Sequence, residues 1–232
     1  MILANADSIK SGTADVAAVF SGTDLIYMTQ ADTSILTYQI NSSNTAYSIT
    51  GTGSGILFGH LDLPSTYNGL PVTAIADGTN STRVAFFNND YIRKVTIPSS
   101  ITTIGSRAFS FSDRITTIIL HNNISSIGFN AFQNLSSLVN ITLPNILTTI
   151  ENRLLGGCSS LPSITIPSSV TSIGDFAFGG CTSLNTINCM ATSAPTLGSG
   201  AFDNVGATQI NVPTTATGYG TTYGGLTVVK DL

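Results

Sequence analysis

Ile164-Thr-Ile-Pro-Ser-Ser-Val-Thr-Ser-Ile-Gly-Asp-Phe-Ala-Phe-Gly-Gly-Cys181 decides how this chain folds, because it is one copy of a pattern recurring every 23 residues. Units of this length open at Ile92, Ile115, Leu138, Leu161 and Leu184. Their fourth residues are Val95, Ile118, Ile141, Ile164 and Ile187, and their sixth are Ile97, Leu120, Leu143, Ile166 and Cys189. A fixed period in this range marks stacked supersecondary units, none able to bury its apolar face without its neighbours. The expected architecture is a mainly β solenoid.

Within a unit, the fourth and sixth residues alternate inward as in a strand, so the residue between them faces out: Thr96, Ile119, Thr142, Thr165 and Asn188. Stacking gives a parallel sheet. A stop follows at Pro98, Pro144 and Pro167, with His121 as the exception. A second inward pair comes next: Ile101/Ile104, Ile124/Ile127, Leu147/Ile150 and Val170/Ile173. Glycine then turns the chain at Gly105, Gly128 and Gly174, where the third unit has Glu151 instead. The sequence predicts a short helical turn there, carrying Phe109, Phe132, Leu155 and Phe178 as a stacked core ladder.

Outside the regular units, residues 1–46 hold short apolar runs between Ser-Gly-Thr and Asn-Ser-Ser-Asn turn signals, a small β-rich segment. Residues 47–204 form the solenoid, whose first unit is irregular and interrupted by an insertion from Asp77 to Arg83. Residues 205–232 read as a closing cap in which Tyr219 and Tyr223 lie over the last rung.

These residues resemble the BspA-like leucine-rich repeats, a 23-residue class of surface proteins. The stretch from Ile164 to Cys181 is nearly that family's consensus, Leu63-Pro-Ser-Thr-Tyr-Asn-Gly-Leu-Pro-Val-Thr-Ala-Ile75 is similar to its opening rung, and Cys189-Met-Ala-Thr-Ser-Ala-Pro-Thr-Leu197 with Ile210-Asn-Val-Pro213 is similar to its closure. The resemblance implies a leucine-rich-repeat solenoid with parallel strands and short helical turns. A second resemblance concerns the start. Ser8-Ile-Lys-Ser-Gly12 and Val16-Ala-Ala-Val-Phe-Ser-Gly-Thr-Asp-Leu-Ile-Tyr27 are similar to a short module of tailed-phage virion proteins. It implies attachment to other virion proteins through residues 1–46, with Ile9, Val16, Val19, Phe20, Leu25 and Tyr27 as the contact positions.

Composition narrows the function. Charged residues make up only 9% of the chain against 42% hydrophobic, so Ser, Thr and Asn solvate the surface. A net charge of −4 argues against nucleic-acid binding. No apolar run reaches bilayer-spanning length, so no membrane insertion is expected. The first twenty residues lack a basic stretch followed by an apolar one, so they do not read as a secretory signal.

Catalytic chemistry is not expected. His60 and His121 lie in different units without a convergent ligand set, so no metal site is expected. The twelve carboxylates include a single glutamate, and no paired acids, G-x-S-x-G, H-E-x-x-H or phosphate-cradling loop is present. No cofactor is called for. Cys158 and Cys181 occupy equivalent slots of adjacent units, shared with Ser112 and Leu135; buried thiols are the simpler reading, although a bridge is geometrically conceivable. Five basic residues, Arg83, Arg93, Lys94, Arg107 and Arg114, fall together on the early rungs; they could form a basic patch or simply solvate the surface.

Repeat solenoids bind through extended faces. The candidate recognition residues are Arg93, Lys94, Thr96, Thr117, Ile119, Val139, Asn140, Thr142 and Thr165 on the sheet. The expectation is a non-catalytic virion structural protein of a tailed phage, displaying the solenoid for host-surface binding or for capsid or tail decoration. Its partner would be a host-surface glycan or protein. The alternative is a secreted bacterial BspA-like adhesin at the cell surface. The sequence leaves oligomeric state open.

Overall fold

The computed structural model describes residues 36–52, 59–78 and 86–232, together with the backbone of 9–11, 14–16, 18–21 and 24–28. Among the described residues the architecture is a stack of 23-residue rungs with strands on two sides. The front ladder runs through Gly59–Asp62, Ile92–Thr96, Thr117–Ile119 and Asn140–Ile141, all parallel. It resumes with Ser163–Ile166, Thr186–Cys189, Gln209–Val212 and Leu226–Lys230. The back ladder runs Tyr47–Thr52, Leu70–Ile75, Thr103–Ile104 and Ser126–Ile127, then Thr149–Ile150, Ser172–Ile173 and Thr196–Leu197. The inward residues named from the sequence are buried, except Leu120, which is half-buried against them, and they join one core that runs the length of the stack.

The third side of each rung carries no helix, contrary to the expected helical turns. Arg107, Asn130, Arg153 and Phe176 have left-handed backbone, and so do Phe111, Asn134, Gly157 and Gly180 four residues on. This alternation aims every second amide at the next rung. The N–H groups of Arg107, Phe109 and Phe111 donate to the carbonyls of Phe129, Ala131 and Gln133, and the pattern repeats at each rung down to Phe176, Phe178 and Gly180. A helical turn would spend those amides internally and leave the rungs unlinked on this side. Beneath the turn the core ladder forms as expected. Phe86, Phe109, Phe132, Leu155, Phe178 and Phe202 are buried, with Phe178 and Phe202 stacked at 5.5 Å.

Both ladders break once, one rung apart. The back ladder is interrupted between Ser126–Ile127 and Thr149–Ile150. In neighbouring rungs a glycine amide closes this ladder, as in Gly128 N–H to Ile104 O at 2.8 Å and Gly174 N–H to Ile150 O at 2.7 Å. These glycines pack against the preceding rung so closely that a Cβ on Gly128 would lie 2.5 Å from the Ser106 nitrogen. The third unit has Glu151 in this place, whose Cβ forces the rungs apart. The corresponding bond to Ile127 is absent. The front ladder breaks between Asn140–Ile141 and Ser163–Ile166. Here the cause is Pro162. Its counterparts donate to the preceding rung (Thr116 to Arg93, Val139 to Thr116, Asn185 to Pro162), whereas proline has no N–H to give.

The ends are closed by different devices. At the start, Leu36–Ile40 pairs antiparallel with Tyr47–Thr52, so the back ladder extends into the segment 1–46. Tyr38 stacks on Tyr67 at 3.8 Å across this end, and burial pushes its phenol up to about 12. At the finish, Tyr219 and Tyr223 are buried and donate to the carbonyls of Ala191 and Pro195 at 2.8 and 2.7 Å. They seal the core, while the antiparallel pair Thr222–Tyr223 and Leu226–Lys230 terminates the front sheet. The three cysteines are free and buried. Cys158 and Cys181 donate to the carbonyls of Phe132 and Leu155, as Ser112 does to that of Phe86.

Ahead of the solenoid the backbone forms two antiparallel hairpins, Ile9–Ser11 with Ala14–Val16 and Ala18–Ser21 with Asp24–Met28. The attachment role expected of Ile9, Val16, Val19, Phe20, Leu25 and Tyr27 concerns side chains outside the described residues, as do the insertion residues 79–85.

Candidate functional site

The outward face of the front ladder is built by strand alternation: with residues four and six of each unit buried (Leu120 half-buried), residues three and five project to solvent. Register then sorts them into rows. One row runs His60, Lys94, Thr117 and Asn140; the next runs Asp62, Thr96 and Ile119. Beyond the break, Thr165, Asn188, Asn211 and Val229 form one row, beside the pairs Ser163–Thr186 and Gln209–Thr227. Lys94, Thr96, Thr117, Ile119, Asn140, Thr142 and Thr165 therefore share one face. Arg93 and Val139 flank it at the strand starts; Val139 is 49% and Ile119 is 42% exposed.

The face has two chemical halves. On the first rungs, the His60 Nε2 lies 2.9 Å from Thr96 Oγ1 and 3.0 Å from Asp62 Oδ1, next to Lys94 and Arg93. From Asn140 to Val229 the rows contain only Asn, Thr, Ser, Gln and one Val. Amides there bond laterally: Asn211 Nδ2 donates to Asn188 Oδ1 at 2.9 Å, and Gln209 Nε2 to Asn211 Oδ1 at 3.2 Å.

Where the ladder breaks, a groove of about 180 Å³ opens, lined by Val139, Asn140, Ile141 and Thr142 on one rung and Ser163, Ile164 and Thr165 on the next. Four of the residues singled out from the sequence, Val139, Asn140, Thr142 and Thr165, line it. The Val139 carbonyl faces Pro162 without the amide bond its counterparts Arg93 and Thr116 accept. The groove thus offers hydroxyls, an amide and an open carbonyl at its rim over an isoleucine floor.

The basic residues do not form one patch: Arg93 and Lys94 lie on the front strand, whereas Arg107 sits on the turn side with its guanidinium 4.9 Å from the Phe129 ring centre. Arg114 is exposed at the rung's end, and Arg83 lies outside the described residues. Of the histidines, His60 is the second residue of the front strand Gly59–Asp62. His121 replaces proline at a strand stop, donating from Nε2 to the Pro98 carbonyl while Nδ1 accepts the Asn123 amide. Among the described residues no group of three or more His, Cys, Asp or Glu is placed to hold a metal ion.

Ser163, Thr186, Asn188, Gln209 and Asn211 belong to the same surface but were not among the sequence candidates. Their signal was available, since they fall at residues three and five of later or closing strands.

Comparison with known proteins matches these observations. The family described as BspA type leucine rich repeat region matches residues 77–162 and 148–222, in six copies. A leucine-rich-repeat protein of T. pallidum is 25% identical, superposing with a TM-score of 0.61 over 76% of this chain and 89% of its own. A leucine rich cell surface protein of Faecalibacterium prausnitzii A2-165 is 27% identical with a TM-score of 0.64, over 89% of this chain and 51% of its own. No curated protein matches the chain.

Proposed function

The chain belongs to the BspA-type leucine-rich-repeat family, and from that premise we propose that it is a non-catalytic recognition module displayed on a bacterial cell surface. The observation that carries this reading is the front face: an extended, solvent-facing array of side chains on a hydrogen-bonded ladder, opened by a groove. A stacked scaffold with capped ends holds such an array without help from a partner. The likeness to a leucine rich cell surface protein supports the location, and it favours the adhesin over the virion component. The virion reading rests on the sequence resemblance of Ser8–Tyr27 to a phage module, a segment that the family match does not reach.

Protease treatment of intact source cells tests the reading. Peptides from residues 47–232 are expected in the supernatant before lysis, and their recovery only from gradient-purified particles at a fixed copy number would overturn it. Binding of the purified protein to host cells, blocked by excess unlabelled protein, tests the adhesive role.

A further inference from the structure

We infer that the groove between Val139–Thr142 and Ser163–Thr165 is a subsite for an uncharged polysaccharide, with the chain of sugars running on along the neutral rows toward Asn211. This rests on the recognition reading above and adds to it a ligand class and a location.

The argument starts from charge. The Lys, Arg, Asp and His of the front rows lie on the opening rung and the one after it (His60, Asp62, Arg93 and Lys94); from Asn140 on, the front strands hold one charge, Lys230 at the end of the last, whose Nζ donates to the Ala216 carbonyl. A sulfated or uronic-acid ligand placed at the groove would leave its anions without counter-charges, whereas a neutral one loses nothing there. The lining then fits hydroxyl-rich ligands in kind. Thr142, Ser163 and Thr165 each offer a donor and an acceptor, Asn140 offers both on one side chain, and the Val139 carbonyl is an acceptor that the ladder leaves open. Ile141 and Ile164, 7% and 3% exposed, belong to the core and close the groove from beneath. The Asn188–Asn211 amide ladder continues the same donor and acceptor mixture two rungs further.

The groove has a single-residue origin, which makes the inference testable. Pro162→Ala restores the missing N–H, lets Val139 O accept it, and closes the groove by pairing the two strands. The variant is expected to be as stable as the parent or more so, and to lose binding. Affinity electrophoresis in gels containing dextran, laminarin or mannan provides the assay, with heparin as the acidic comparison. At least one neutral polymer is expected to retard the protein equally at 50 and 500 mM NaCl, because no charge takes part. Retardation should weaken at least 10-fold in Pro162→Ala and in the surface pair Asn140→Ala/Thr142→Ala, and be unchanged in Thr102→Ala on the back ladder. Retardation by none of the three neutral polymers, retardation only by heparin, or a Pro162→Ala variant that folds and binds as the parent does overturns the inference. Host-cell binding that persists in Pro162→Ala would remove the subsite while leaving the recognition reading intact.

Discussion

Replacing Glu151 by glycine should stabilise the protein, although Glu151 is half-buried and the change deletes a whole side chain. The reason is the Cβ. At the equivalent point of the neighbouring rungs a glycine lies against the preceding rung at a distance no Cβ tolerates, and its amide closes the back ladder. The third unit lacks two bonds that its neighbours make: the one from residue 151 to Ile127, and the one from Thr148 to Ser125, whose counterparts are Ser125 to Thr102 at 2.9 Å and Thr171 to Thr148 at 2.8 Å. Two backbone hydrogen bonds contribute about 1–3 kcal/mol together. Glycine's extra freedom in the unfolded chain subtracts about 0.5–1 kcal/mol. Taken at their midpoints these leave a net gain of about 1.25 kcal/mol, equivalent for a chain of this size to a rise in melting temperature of about 2.5–5 °C. Urea unfolding followed by far-UV circular dichroism reads it as a shift in midpoint at constant slope. Amide exchange provides the structural check, since Thr148 and residue 151 should become protected. Glu151→Ala is the control, because it removes the carboxylate and keeps the Cβ. If the alanine variant gains as much as the glycine one, or the glycine variant gains nothing, the steric account of the broken ladder is wrong.

Three further outcomes follow from the same architecture. Phe132→Ala, at a fully buried rung of the aromatic ladder, should lower stability by about 3–5 kcal/mol in urea titration. Phe111→Asn should lower stability by only about 1 kcal/mol. The edge contact with Phe87 and the burial of more than half the Phe111 ring contribute about 1.5–3.5 kcal/mol, of which left-handed backbone at φ 63° takes back about 1–2 kcal/mol; a loss above about 2 kcal/mol would refute the assigned strain. Burial pushes the Cys181 thiol up to about 12 from 9.0 and raises those of Cys158 and Cys189. A raised folded value means that this contribution is intact below about pH 9 and is lost as pH climbs toward 12, when the unfolded thiols ionise first. Stability measured by urea at pH 8, 10 and 11 should therefore fall, less steeply in a Cys158→Ala/Cys181→Ala variant.

The sequence disclosed the repeat because burial in a solenoid is periodic. Each of Val95, Ile118, Ile141 and Ile164 does the same job one rung apart, so register, ladders and the buried thiol slots could be read directly. The turn side could not. Arg107, Phe111, Arg153 and Phe176 adopt left-handed backbone against their own preferences, because amides from these positions bond the next rung, a tertiary gain that local propensity does not register. The site was partly legible. Alternation identified the outward rows, but the groove within them arises from a proline whose effect appears only when another rung is stacked against it. Glu151 stood out as a departure from the repeat, and its consequence likewise needed the neighbouring chain.

The hydrogen-bonded turn has a mechanical meaning. If one end of the stack is held and a rung further along is pulled, every junction between the two must carry the tension. Most junctions are fastened along three seams. The second-to-third junction has lost its back seam and the third-to-fourth its front seam, yet the turn seam crosses both, through Asn130, Phe132 and Asn134 at one and Arg153, Leu155 and Gly157 at the other. Under force the third rung is therefore the link that yields first, and the turn is the thread that keeps the two halves of the array from parting there.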